Sequence, residues 1–446
     1  MAKCPTNMRA SYRVVRGWGP RRSVSRRMGS GTGPSSRADI PCDCDSDSFV
    51  EFELAMPPGH HWTNPSGHAI LSNRRTRGSG ARFQTTDVNC YQPERKTIMT
   101  TPLRAAVIGC GTVSYAHLWG WRSLAPLVEL AAAADPSPEA RQARAAEFGV
   151  PQVHAEAGEM LERERPDLVS ICSPPQTHRQ MVELAVRSGA RGILCEKPMA
   201  LTAADAAEMV RVCQAAGVRL ALGYQLRSQL YNRQAAQLVQ DGIIGQPLFA
   251  RAICGGSMIS TGTHTFDLLR YVLGDPALEW VMGQAVFGDP PYWDGGPAEE
   301  TSATGYYRLA GDITALFEGG EAASAFHHIF LEGTEGHLQI RPFDEPKASY
   351  RRFEHWDWQV IDPLADPEIP PLPEGAPPLP DDRPGWDLDP GDECHPFRLE
   401  MLELVQCVRQ GREHRASGEL GRASLEAVLG LYESARRRDR VSFPLT

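Results

Sequence analysis

Short apolar runs alternate with amphipathic stretches from residue 103 to residue 222. Apolar runs that end at glycine or polar residues are typical of strands buried on both faces of a parallel sheet. The predicted strands are 103–109, 128–134, 152–154, 168–172, 192–195 and 219–222. The stretches between them predict helices over 112–124, 137–148, 176–188 and 202–216. Strands that alternate with helices in this way predict βαβ units and a parallel sheet.

The pattern changes after residue 224, where longer runs of alternating polarity appear. They predict a mostly antiparallel sheet with a helix laid against it. The predicted strands are 248–255, 280–286, 303–309 and 313–317, and the helix is 264–273. Amphipathic patterns over 396–410 and 422–437 predict two closing helices. Ten prolines between 362 and 392 exclude a core helix or strand and predict an extended surface loop.

The first 98 residues do not share either pattern. They contain arginine pairs and runs of Gly, Ser and Pro, with 15 Lys and Arg against 8 Asp and Glu. Such a composition buries too little apolar surface to offset the entropy of ordering the chain. Because Met99 is followed at once by the first predicted strand, we expect 1–98 to be a disordered or mis-assigned N-terminal extension.

Composition and charge exclude several classes of protein. Residues 99–446 carry 31 Lys and Arg against 47 Asp and Glu, and this acidic balance disfavours binding to a nucleic-acid backbone. The sequence contains no run of about 18 uncharged apolar residues, so it predicts no membrane-spanning helix. The eleven cysteines lack the paired spacings of a metal site or a secreted disulfide scaffold. We therefore expect no nucleic-acid, membrane or metal partner, and a reducing cytoplasmic location.

The first candidate site is a glycine-rich turn between the first strand and the first helix, Gly-Cys-Gly-Thr-Val-Ser over 109–114. Gly109 permits the tight turn, and Gly111 removes a side chain where a pyrophosphate must approach the backbone. The following helix offers unpaired N–H groups and the positive end of its dipole. The turn predicts a dinucleotide cofactor held by Gly109, Gly111, Thr112 and Val113.

Asp135 supports the same interpretation. It ends the second strand 21 residues beyond Ser114, where a carboxylate would accept hydrogen bonds from the adenosine ribose. An acid at this place repels a 2′-phosphate, and no arginine follows it directly. The predicted cofactor is NAD, and Ser137 leaves NADP open.

Lys197 and His264 are the candidate reactive groups. Glu196-Lys197-Pro198 follows the fifth strand, and Lys347 is the only other lysine among the 31 basic residues of 99–446. Lysine, unlike arginine, can be desolvated and can give a proton to a substrate oxygen. His264 begins the helix of the second part, and a neutral imidazole is a natural base for an alcohol. The structural alternatives are a Glu–Lys pair at a strand end and a packed histidine.

These motifs occur in one order that resembles a known family. The glycine-rich turn and the Glu-Lys-Pro motif are followed by GYQLRSQ over 223–229 and by GTHTFDLLRY over 262–271. The order resembles the glucose–fructose oxidoreductase / inositol dehydrogenase (Gfo/Idh/MocA) family of nicotinamide-dependent sugar and polyol oxidoreductases. The resemblance covers essentially 101–446.

The resemblance implies an α/β fold and a division of the chain. An N-terminal Rossmann NAD(P)-binding domain over 99–223 precedes a substrate-binding and oligomerisation domain over 224–446. This second α/β domain would hold a large, mostly antiparallel open sheet and the Pro-rich insertion 362–392. The open sheet implies a homo-oligomer.

The resemblance also implies roles for individual residues. Lys197 would contact the reacting hydroxyl and the nicotinamide, and His264 would act as acid and base. The other implied cofactor contacts are Ser173, Pro174, His178 and Glu196, and the implied substrate contacts are Tyr224, Gln225, Arg227 and Asp267.

One position departs from the family pattern. Members that oxidise polyols usually carry an aspartate four residues before the histidine, and this chain has Ser260. A hydroxyl orients an imidazole less strongly than a carboxylate does. The leading hypothesis is an NAD(P)-dependent oxidoreductase acting on CH–OH groups of a sugar, inositol or related compound. The alternatives are a redox-neutral NAD enzyme that eliminates or cleaves glycosides, and a non-catalytic nucleotide-binding regulator.

Overall fold

The computed structural model describes residues 101–287, 300–321, 323, 325–364, 366, 369–373 and 395–445. These residues fall in one compact unit, Pro93–Thr446. The predicted extension 1–98 lies outside the described residues, and so does most of the Pro-rich segment 362–392. The described residues of this Pro-rich segment form neither helix nor strand.

A parallel six-stranded sheet occupies the first half of the described chain. Its strands are β1 (Leu103–Ile108), β2 (Val128–Ala134), β3 (Gln152–His154), β4 (Leu168–Ile171), β5 (Gly192–Cys195) and β6 (Arg219–Leu222). The order is β3-β2-β1-β4-β5-β6, so the chain reverses direction across the sheet between β1 and β4. Ligands of open α/β sheets bind at such a reversal, outside the carboxyl ends of the strands.

The helices that connect these strands are α1 (Ser114–Arg122), α2 (Pro138–Phe148), α3 (Ala157–Glu164), α4 (Pro175–Ser188) and α5 (Ala203–Ala216). Local signals fix their ends: the Ser137 side chain accepts from the Ala140 N–H, and Gly149 ends α2 in the left-handed conformation. The six predicted strands and four predicted helices are confirmed. Helix α3 was not predicted, because only Met160 and Leu161 are buried in it and no side chain caps it.

A nine-stranded sheet follows. Its strands are β7 (Pro247–Gly255), β8 (Leu278–Phe287), β9 (Glu300–Leu309), β10 (Ile313–Gly320), β11 (His328–Gly333), β12 (Gly336–Ile340), β13 (Ala348–Arg352), β14 (Gln359–Val360) and β15 (Val441–Ser442). The order is β14-β13-β12-β11-β7-β10-β9-β8-β15. The sheet is mostly antiparallel, as predicted, with one parallel pair, β7 and β10.

Four more helices occur after β6 in the described chain: α6 (Leu230–Gln240), α7 (Thr263–Val272), α8 (Pro396–Gln410) and α9 (Gly418–Arg437). Helix α7 buries Phe266 against Tyr307 and Phe317 of this sheet. The sequence did not predict α6 or the strands β11 to β15. These strands are short; β11 to β14 extend the sheet from β7, and β15 pairs with β8 at the opposite edge.

Helix α8 returns to the first sheet. Its residues Met401, Leu404 and Val405 are buried in the same core as Val107 of β1 and Trp119 of α1. A side chain at Gly120 of α1 would collide with the Met401 sulfur, so the glycine permits the close packing of α1 and α8. The division of the chain into two domains at residue 223 stays a prediction. Helix α8 does not fit a simple split there, because it follows residue 223 in the sequence but packs in the core of the first sheet.

Two glycines with nearly the same positive φ give a test of the close backbone approach at the end of β1. Gly109 has φ +91° and a Cβ atom there would lie 2.8 Å from the Cys172 backbone, whereas Gly189 has φ +90° with nothing within 4 Å. We expect Gly189→Ala to lower the free energy of unfolding by about 1–2 kcal/mol, through the left-handed conformation alone. Gly109→Ala should cost about 1–3 kcal/mol more, because the methyl group also meets fixed backbone. Urea unfolding measures both, and equal losses would contradict the steric argument.

Candidate active site

The glycine-rich turn leaves space where a phosphate would lie. A side chain at Gly111 would meet no protein atom within 4 Å. Helix α1 begins after Thr112 and Val113, and no side chain caps its first turn. An uncapped helix N-terminus beside an open position fits the pyrophosphate of a dinucleotide.

Asp135 joins this turn to the start of α2. Its carboxylate accepts from the backbone N–H of Cys110 at 2.7 Å and from that of Ser137 at 2.8 Å. Each carboxylate oxygen has a second lone pair, so Asp135 can still accept from ribose hydroxyls. Arg141 of α2 donates to the carbonyl oxygens of Asp135 and Pro136. The sequence spacing did not reveal this cation near the carboxylate.

A buried hydrogen-bonded chain runs from α1 to the end of β5. Trp121 Nε1 donates to Ser170 Oγ at 2.8 Å, and Ser170 Oγ lies 3.0 Å from His117 Nδ1. The other ring nitrogen, His117 Nε2, donates to the Glu196 carboxylate at 2.9 Å. The other Glu196 oxygen accepts from the backbone N–H of Lys197. The structure thus places the Glu196 carboxylate against α1 and the backbone of Lys197.

Glu196 is ionised in this environment. Burial opposes its charged form, but the hydrogen bond from His117 and the charges of His117 and Lys197 outweigh burial and lower its pKa. A side chain at Gly223 would lie 2.9 Å from the same carboxylate. The glycine before Tyr224 therefore makes room for Glu196.

His178 connects two loops at the carboxyl edge of the sheet. Its Nε2 lies 2.7 Å from the Ser173 carbonyl oxygen, and its Nδ1 lies 3.1 Å from that of Pro198. The ring is buried, and burial lowers its pKa. His178 therefore joins the loop that contains Ser173 and Pro174 to the segment that follows Lys197.

Lys197 extends from this segment toward the second sheet. Its Nζ atom donates to Ser260 Oγ at 3.4 Å. Ser260 lies in a π-helical turn, Met258–Gly262, directly before α7. Buried Glu300 holds this turn, because it accepts from the Met258 N–H and, at 2.6 Å, from the Tyr432 hydroxyl. The hydroxyl at the position of the family's aspartate therefore contacts the lysine.

His264 lies at the start of α7, directly after the π-helical turn. Its ring is buried, and its Nδ1 has no hydrogen-bond partner among the described residues. The rings of Tyr224 and His327 meet it edge-on, with centroids 5.5 Å and 5.9 Å away. Burial, Lys197 and His327 hold the pKa of His264 well below its usual range. The site therefore combines a lysine with a neutral imidazole, which can take a proton while the cation holds the oxygen.

Arg227 and Asp267 have a different placement from the one that the resemblance implies. Arg227 donates to both Asp267 oxygens at 2.6 and 2.8 Å, to both Asp275 oxygens at 2.7 and 2.8 Å, and to the Arg415 carbonyl oxygen. These bonds use all five guanidinium donors. Asp267 also accepts from Ser424. Both side chains are buried, and all donors of Arg227 are used within the protein, while Gln225, two residues before Arg227, is half-buried.

Two ionisable groups near the site were not found from the sequence. One is His327, just before β11, which lies near no recognisable motif. The other is Glu400 of α8, whose two carboxylate oxygens are buried without a partner in the described chain. Burial, with Glu196 and Glu403 nearby, raises the pKa of Glu400 well above its usual range. Glu400 is thus a neutral acid, and only its unusual burial reveals it.

The described residues contain neither a metal-binding cluster nor a membrane-spanning helix. No three His, Cys, Asp or Glu side chains come close enough together to hold a metal ion. None of the helices there combines the length and apolar character that crossing a bilayer requires.

Comparison with known proteins places this site in a family. The model of the Gfo/Idh/MocA oxidoreductase family, NAD-binding Rossmann fold, matches residues 103–224. D-apiose dehydrogenase of Paraburkholderia graminis is 28% identical over 361 residues, which cover 75% of this chain and 88% of that protein. D-glucoside 3-dehydrogenase of Escherichia coli is 32% identical over 206 residues, which cover 42% of this chain and 58% of that protein.

Solved structures show the same fold. An oxidoreductase from Agrobacterium radiobacter, crystallised with NAD+, L-tartaric acid and magnesium, superposes with a TM-score of 0.63 at 20% identity. The match covers 77% of this chain and 98% of that one. The glycine-rich turn, the two sheets and these matches agree: residues 103–224 match the NAD-binding Rossmann fold of the Gfo/Idh/MocA oxidoreductase family, and the chain as a whole is similar to members of that family.

Proposed function

We propose that the protein oxidises a hydroxyl-bearing carbon of a sugar, an inositol or a related polyhydroxylated compound, and catalyses the reverse reduction. The observation that carries the proposal is the contact of Lys197 with Ser260, in the turn directly before a buried, neutral His264. The names of the relatives, an apiose and a glucoside dehydrogenase, agree with this substrate class.

The residues divide the chemistry as follows. The imidazole of His264 accepts the proton of the substrate hydroxyl, and the ammonium of Lys197 stabilises the oxygen as the proton leaves. Ser260 keeps the ammonium in place, and Tyr224 packs against the imidazole. NAD held at the glycine-rich turn supplies the hydride acceptor. Gly109, Gly111, Thr112, Val113, Asp135, Ser173 and Pro174 are the proposed cofactor contacts.

Other predicted residues have positioning roles in this proposal. Glu196 and His178 hold the segment of Lys197 from both sides. Arg227 and Asp267 fix α7 relative to the turn that follows Tyr224. Gln225 remains a proposed substrate contact. The redox-neutral alternative uses the same groups, and net NADH production separates it from plain dehydrogenation.

We also propose that the open face of the second sheet pairs with a second copy of the chain. Large apolar side chains project from this face, among them Met282, Val286 and Tyr306, all more than one-third exposed. Exposed apolar side chains on one face of a sheet mark an interaction site. The proposed location is a reducing cytoplasm, which agrees with the free thiols of the described cysteines.

The two lysines of 99–446 provide a matched test of the reactive groups. Lys197→Met and His264→Ala should each lower kcat about a hundredfold or more, because each removes a group that acts on the reacting oxygen. Lys347→Met removes a lysine that lies over the Tyr231 ring and should leave kcat unchanged. NADH formation with inositols and sugars measures this, and full turnover by His264→Ala would contradict the proposal.

The pH dependence of oxidation follows from the state of His264. Because burial and Lys197 lower its pKa well below 6.5, the imidazole stays neutral as the pH falls from 8 through 6.5. We expect kcat/KM for the polyol to show no inflection near 6.5, and the acidic limb to lie well below it. A loss of activity centred near pH 6.5 would show an ordinary, solvated histidine instead.

The sheet pairing is tested by charge on its open face. Met282 and Tyr306 lie opposite each other on β8 and β9, so Met282→Glu together with Tyr306→Glu should convert a dimer or higher oligomer to monomer. Trp356→Glu, which changes an aromatic residue 86% exposed outside the strands, is the control. Light scattering gives the mass in solution, and a monomeric wild type would contradict the proposal.

A further inference from the structure

His327 has a backbone conformation that few residues adopt. Its φ is +53°, in the left-handed region, although it is not glycine. Such conformations cost free energy and persist where the surroundings enforce them, often at functional sites. The side chain is also buried, with 7% of its surface exposed. The chain therefore holds an imidazole at a position where glycine or asparagine would be less strained.

Contacts on both sides fix the His327 ring. Its Nδ1 forms a 2.6 Å hydrogen bond with Thr265 Oγ1, and Thr265 is the neighbour of His264 on α7. The rings of Phe326 and Phe343 pack against it, with centroids 5.9 Å and 6.0 Å away. Because Nδ1 is used by Thr265, Nε2 is the nitrogen left for a ligand.

The ring lies beside the proposed reactive groups. Its centroid is 5.9 Å from that of His264, and the two planes meet at 75°. Burial, with the charges of Lys197 and His328, lowers the pKa of His327 to about 4. His327 is therefore neutral at ordinary pH and can accept or donate a hydrogen bond without carrying charge.

We propose that His327 binds the hydroxyl on the carbon next to the one that is oxidised, so that the site selects vicinal diols. The inference rests on the proposed function and adds its substrate class. A hydrogen bond spans about 2.8 Å, so a two-carbon unit with two hydroxyls can reach two rings whose centroids are 5.9 Å apart. Two neutral imidazoles suit hydroxyls better than a carboxylate, which needs cationic partners.

The test is a thermodynamic cycle in which one side chain and one substrate hydroxyl are removed separately and then together. The full chain is assayed with NAD and with myo-inositol or methyl β-D-glucopyranoside, and then with the mono-deoxy analogues of each. The variants are His327→Asn, which suits a left-handed backbone, and His328→Asn as the matched control. His328 is the adjacent histidine, partly exposed and 3.3 Å from Asp344.

In the wild type, loss of one neighbouring hydroxyl should lower kcat/KM about tenfold or more, because a buried group loses its partner. With His327→Asn, kcat/KM for the intact polyol should fall by a similar factor. The ratio of kcat/KM between the intact polyol and its deoxy analogue should then fall toward one. His328→Asn should behave as the wild type does. An unchanged deoxy penalty in His327→Asn would mean a purely structural role and would overturn the inference.

Binding separates this inference from the proposed function. Calorimetry of the enzyme–NADH complex with the same polyols gives a Kd for each member of the cycle. If the wild type binds polyols without turning them over, the proposed function fails, and the cycle on Kd decides the role of His327. If no polyol is either oxidised or bound, both are overturned.

Discussion

The buried ion pair between Arg227 and Asp267 is the interaction on which the site depends. A guanidinium without exposure to solvent is tolerated only when its charge and its donors are matched, and here two carboxylates and a backbone carbonyl use all five donors. The pair joins the turn after Tyr224 to α7, and Ser424 connects α9 to the same carboxylate. The position of His264, one turn from Asp267, follows from these bonds.

Ser260 changes the electrostatics of the site more than its shape. A carboxylate at this position would favour the protonated imidazole. With a hydroxyl there, burial and the charge of Lys197 lower the pKa of the imidazole. His264 is therefore neutral, with a nitrogen that can accept a proton, before any substrate arrives. Its orientation comes from the rings of Tyr224 and His327.

The sequence predicted the first sheet well because each of its strands is a local apolar run with a local end signal. It predicted the parallel pairing of β7 with β10 and the return of α8 poorly, because these depend on partners distant in the chain. At the site, the family resemblance implied that Arg227 and Asp267 contact substrate, and only the structure shows that the two side chains are buried and paired with each other. His327 had no signal at all, since a positive φ and a neighbouring ring exist only in the folded chain.

The packing of α8 also has a consequence for synthesis of the chain. The core between the first sheet and α1 is closed by Met401, Leu404 and Val405, which leave the ribosome almost three hundred residues after β1. Until then, this face of the first sheet is covered by α1 and α2 but lacks the cover that α8 gives to β5 and β6. Domains ordinarily fold in order as they emerge, but the N-terminal sheet must here wait for the C-terminal segment. A truncation within α8 therefore disrupts the sheet that binds the cofactor, although the truncation lies near the C-terminal end of the chain.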